Sequence, residues 1–127
     1  MKQLLFGTLA LLLFGCGQSP EISSHCEANA RCLLAPGIEI SLSQSRPEPE
    51  TPFVITLTGN NISPPQTAYL EGVNMYMGKI PVFFTETKSG LAAEAMVGVC
   101  SSKKMQWQLV IEWQAQTLRY PIETIAN

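Results

Sequence analysis

Aspartate is absent from this 127-residue chain, and histidine occurs once, at His25. Without aspartate there are no Asp-based catalytic triads and no calcium loops of the EF-hand kind. A single imidazole cannot build a histidine-based zinc centre. The glycine patterns GxGxxG and GxxxxGK[ST], which cradle phosphates, are missing too. The serines lack a nucleophile elbow. Glu71, Glu86, Glu94 and Glu112 stand in strand-like alternation that turns most of them to solvent, and nothing sets two of them across a cleft as glycoside hydrolysis requires. The expectation is a protein that is not an enzyme. Charge is sparse and nearly balanced, 8 basic against 10 acidic side chains, so the concentrated basic patch of a nucleic-acid binder is absent. Beyond the first fifteen residues no apolar run is long enough to span a bilayer.

The one apolar run that exists is informative. "MKQLLFGTLALLLFGCG" opens with Lys2, continues through Leu4 to Phe14, and ends at Gly15-Cys16. It is too short for a stable transmembrane helix but has the proportions of an export signal. Leu13, Gly15 and Cys16 resemble a bacterial lipobox. That resemblance implies cleavage before Cys16, acylation of its thiol, and membrane lipid as the first partner. Gly17 in place of aspartate favours, by resemblance to Gram-negative sorting, the periplasmic face of the outer membrane. Residues 1–15 are then signal peptide, residues 16–35 a small, polar, acylated tether, and residues 36–127 one domain.

Cys26, Cys32 and Cys100 remain after Cys16. Outside the inner membrane disulfides persist, and an odd number leaves one sulfur over. Cys26 can close a short loop with Cys32, or Cys32 can staple to Cys100. The first pairing is preferred and leaves Cys100 available.

From Pro36 the chain reads as short strands between turn signals. "GIEISLS", "PFVITLTG", "LAAEAMVGV" and "MQWQLVIEW" alternate apolar and polar residues with period two. "QTAYLEGVNMYM" and "KIPVFFTE" read as extended, Pro81 marking an edge or a strand start. "TLRYPIETI" closes the domain. About seven strands without a convincing amphipathic helix predict an all-β, immunoglobulin-like β-sandwich, with Trp107 and Trp113 as core residues.

Sulfur is the remaining chemistry. Met75 and Met77 are two apart, so a strand puts them on one side with Tyr76 on the other. Met96, Cys100 and Met105 follow around the "SSKK" turn. Thioethers and thiolates are soft ligands that select Cu(I). The competing reading is that methionine fills gaps in a core. Cys26 and Cys32, the segment Gly72-Val73-Asn74-Met75-Tyr76-Met77-Gly78, and Cys100 with Met105-Gln106-Trp107 resemble a family of small proteobacterial envelope lipoproteins. More distantly the chain is similar to FixH-like and YtkA-like periplasmic domains. The resemblance implies soft-metal binding or delivery, linked to oxidase assembly or copper handling, with Met75, Met77, Cys100 and Met105 as the ligand set. The alternative is a structural or protein-interaction lipoprotein domain that holds no metal and meets an envelope protein partner.

Overall fold

The computed structural model describes residues 21–23, 25–113 and 115–127, the first three as backbone. Cys16 and the signal segment lie outside them. Ten strands follow one another: β1 (Glu21–Ser23), β2 (Cys32–Ala35), β3 (Ile38–Leu42), β4 (Phe53–Thr58), β5 (Thr67–Gly72), β6 (Lys79–Pro81), β7 (Thr85–Thr87), β8 (Gly90–Ala95), β9 (Lys104–Glu112) and β10 (Thr117–Ile125). They make two five-stranded sheets, ordered β1-β10-β9-β5-β6 and β2-β3-β4-β8-β7. Pairing is antiparallel throughout, except that β1 joins β10 in parallel.

The alternation seen in the sequence sets the faces. Phe53, Ile55 and Leu57 of β4 are buried, as are Leu91, Ala93 and Ala95 of β8 beside them. Met105, Trp107, Leu109 and Ile111 of β9 are buried opposite Leu118, Tyr120 and Ile122 of β10. All these side chains belong to one apolar cluster drawn from both sheets. Burying a side chain of this size stabilises by roughly 1.5–3 kcal/mol, which is why the period-two pattern holds its register. The one buried polar residue among the described side chains is Thr124, whose Oγ1 accepts a hydrogen bond from Trp107 Nε1 at 3.1 Å. Pro121 interrupts β10 without disturbing the ladder. Its carbonyl accepts from the Asn29 N–H on the strand's outer edge, and the missing donor faces that same edge beyond the end of β1.

Three expectations change. The stretch 16–35, expected to be a tether, contributes β1 and β2 to the sheets, while the preferred Cys26–Cys32 disulfide does form, with Cα atoms 6.0 Å apart. "QTAYLEGVNMYM" is strand only to Gly72, so Met75 and Met77 lie in the connection from β5 to β6. "KIPVFFTE" breaks into β6 and β7, which belong to different sheets, with Val82 and Phe84 anchored in the core between them. Pro81 does sit on an edge strand.

Register gives the molecule two distinct ends. Turns 36–37, 59–66, 88–89 and 113–116 gather at one, tied by a Trp113 Nε1–H donated to the Ser63 carbonyl at 2.8 Å and a Gly59 N–H donated to the Ser89 carbonyl at 3.0 Å. Connections 43–52, 73–78 and 96–103, with the chain's last residues, form the other, here called the tip. There Glu50 N–H reaches the Val97 carbonyl at 2.8 Å, and Ala126 N–H the Lys103 carbonyl at 2.9 Å.

Candidate functional site

The methionine segment is a loop shaped by three residues. Gly72 ends β5 where the chain folds back so closely that any side chain there would collide with the Met75 carbonyl. Asn74 then replaces the missing ladder partner. Its Oδ1 accepts the Gln106 N–H at 3.0 Å and its Nδ2 donates to the Lys104 carbonyl at 3.4 Å. Gly78, at φ 74°, supplies the left-handed turn into β6. Between these fixed points the alternation persists outside the strand. Met75 and Met77 are half-buried against the core, whereas Tyr76 points outward and is 81% exposed.

The four sulfurs of the expected ligand set fall in two settings. Met77 reaches across to the 96–103 connection, its Cε 3.8 Å from where a Gly98 Cβ would stand, two residues before the half-buried Cys100. Cys100 forms no disulfide among the described residues, and its Sγ lies 4.0 Å from Ser101 Oγ. Met105 is core wall, 2% exposed, with its methyl 2.9 Å from the Cβ position of Gly72. Met96, by contrast, is exposed. Among the described residues no group of three or more His, Cys, Asp or Glu side chains could hold a metal. Any ion at the tip would rest on thioethers and one thiol, a donor set without the imidazole or carboxylate that harder metals require.

A second constellation carries no sulfur ligand and left almost no trace in the sequence. The 25–31 segment crosses from one sheet to the other and is clamped to β10. The Asn29 side chain accepts the Glu123 N–H and donates to the Glu123 carbonyl, both at 2.9 Å, in the manner of a strand partner. Tyr120 O–H donates to the Ala30 carbonyl at 2.7 Å. Burial pushes the Tyr120 hydroxyl up to about 12, so it stays protonated and keeps donating. Asn29 adopts φ 63°, a conformation asparagine tolerates better than most residues. An asparagine inside a short disulfide ring was the available signal.

The outer face of the first sheet is polar and cross-linked. Arg119 meets Glu71 at 3.8 Å and Gln108 Oε1 at 3.1 Å, and Lys79 Nζ sits 4.4 Å over the Tyr69 ring. Val110, buried outside the main core, lies in register between Tyr69 and Arg119.

Apolar exposure concentrates elsewhere. Of seven large apolar side chains exposed among the described residues, Val73, Tyr76, Met96, Val99 and Ile125 all lie at the tip. No helix among the described residues is long and apolar enough to cross a membrane. Comparison of the chain with known protein families, with curated proteins and with solved structures finds no match.

Proposed function

We propose that this chain is a non-enzymatic, lipid-anchored binding domain of the cell envelope, an immunoglobulin-like β-sandwich whose tip meets a protein partner. The observation that carries this reading is the gathering of five exposed large apolar side chains at one end, while among the described residues only Leu33 and Phe83 are such side chains exposed elsewhere. Soluble domains seldom leave contiguous apolar surface uncovered unless it is used. Acylation at Cys16 supplies the membrane attachment, and the two sheets supply a rigid support for the tip connections. A photo-cross-linking residue at Tyr76, compared with one at Lys88 on the opposite end, tests the reading in intact cells. A discrete adduct from position 76 alone is expected. Equal labelling from both positions, or none from position 76, overturns it.

A second reading rests on its own observation, the approach of the Met77 methyl to the connection that carries Cys100. In this reading Met75, Met77 and Cys100 bind Cu(I) at the tip and Met105 supports them from the core side. Thioethers carry no proton to lose, so such a site would keep its donors across the physiological pH range. Competition against a calibrated Cu(I) chelator, using reduced protein, tests it. Failure to take Cu(I) from even a weak chelator leaves the methionines as packing residues.

A further inference from the structure

The exposed apolar tip and the chain's point of entry lie at opposite ends, and the turn end has a composition of its own. β1 runs parallel to β10 with Glu21 opposite Thr117, so the chain ahead of Glu21 leaves at the turn end. Four residues lie between Cys16 and Glu21, making five Cα–Cα steps. Fully extended they reach about 17 Å. The nine residues of β10 span about 30 Å between the two ends. A lipid on Cys16 therefore keeps the turn end close to the bilayer and cannot seat the domain tip-first on it.

The turns at that end also suit a phospholipid surface. Lys88 is the one charged residue in segments 36–37, 59–66, 88–89 and 113–116, and none of these segments contains a carboxylate. Glu39 and Glu112 stand on the strands behind them, while Glu21 opens β1 at this end and exposed Glu86 lines a second shallow cleft with Asn61, Ile62 and Lys88, so the turn segments are free of carboxylates but their rim is not. A shallow cleft of about 390 Å³ opens there, lined by Trp113 and Ile62 together with the neutral amides of Asn60, Asn61 and Gln116. Tryptophan rings favour the headgroup boundary, and the Trp113 N–H already has its partner in the Ser63 carbonyl. Neutral amides hydrogen-bond to phosphate and glycerol oxygens without charge repulsion, and a lysine is drawn to anionic headgroups.

We infer that the turn end is a lipid-contact surface on which the domain stands, with Trp113 at the headgroup level and the tip directed away from the membrane. This rests on the acyl-anchor reading above. It assigns the turn end to phospholipid and the tip to protein, and it makes the short chain ahead of β1 an orienting element.

The test uses the full acylated chain in phosphatidylethanolamine–phosphatidylglycerol vesicles containing brominated lipids, with tryptophan fluorescence as the readout. Wild-type fluorescence should be quenched, more by bromines near the headgroups than by bromines near the bilayer centre. Quenching should disappear in Trp113→Phe, because Trp107 is 1% exposed inside the core. A tryptophan placed at the tip, Tyr76→Trp in the Trp113→Phe background, should stay unquenched. Wild-type quenching that survives Trp113→Phe, an unquenched wild type, or a quenched tip tryptophan would each overturn the orientation. Intact mass separates the two failures. A chain without acyl groups overturns the anchor reading and this one with it, whereas an acylated chain with unquenched Trp113 overturns the orientation alone.

Discussion

Met105 and Met77 are the same side chain in two settings. Met105 stands in β9, where strand parity and its pairing with Thr124 of β10 set its direction, and it is sealed in the core beside Trp107. Met77 stands in a connection whose path depends on Gly72, Asn74 and Gly78, and it lies half-buried across the gap to Gly98. The difference teaches that residue type says little about a methionine's role until the backbone carrying it is known. Interior positions of this molecule answer to packing, whereas half-buried positions at the tip follow the path of the connection that carries them.

Substitutions can break or sharpen that contrast. Trp107→Ala removes the largest buried side chain and orphans the Thr124 hydroxyl, and it should cost about 3–5 kcal/mol in urea unfolding. Met105→Ala should cost about 2–5 kcal/mol, while Met77→Ala costs about 1 kcal/mol. Equal losses at the two methionines would show that the tip is packed as firmly as the core and would dissolve the distinction. Reduction of Cys26–Cys32 should lower stability by about 2 kcal/mol, a modest effect because the closed ring is short.

Smaller still is the expected effect of Tyr120→Phe, about 1 kcal/mol from the hydrogen bond to Ala30. This substitution has a second readout. Tyrosine in the unfolded chain ionises near 10, whereas the folded hydroxyl is raised to about 12. Its contribution is complete below pH 10 and is lost as pH rises from there through 12, since only the unfolded chain gives up its proton in that window. Urea midpoints across alkaline pH should therefore fall in the wild type and flatten in Tyr120→Phe. The least disturbing change is Met77→Leu, which keeps most of the apolar volume and should cost under about 1.5 kcal/mol. If Cu(I) affinity drops while stability holds, Met77 is a ligand; an unchanged affinity with a shifted midpoint makes it packing.

The sheets were legible where alternation was clean. "PFVITLTG" and "MQWQLVIEW" become β4 and β9 with the expected faces inward, and "TLRYPIETI" closes the domain as β10. Legibility failed where tertiary partners decide the outcome. "CLLA" has no period-two signature, because Leu34 and Ala35 are both buried across a register shift against β3. The break in "KIPVFFTE" was hidden because Val82 and Phe84 look like any strand residues while they carry the chain between sheets. Trp113 reads as a continuation of the β9 core face, yet it lies past the strand's end and is only half-buried. At the tip, the opposition of Met75 and Met77 to Tyr76 was visible, but which side faces the core and where the strand ends were not. Nor was the role of Asn74 as a substitute ladder partner, since it depends on Gln106 thirty-two residues later.

The parallel pairing of β1 with β10 has a mechanical consequence. Tension applied to the chain ahead of Glu21, directed out of the turn end, runs along β1 rather than across it. The strand is then loaded in shear, so its hydrogen bonds share the force instead of opening one at a time. Once β1 slips, the line of force enters at Cys26 and passes through the sulfur bridge directly to Cys32 and β2. Residues 27–31 are bypassed. The Asn29 and Ala30 contacts that hold the crossover to β10 stay slack, and the join between the two sheets is shielded from a pull that the rest of the N-terminal segment must bear.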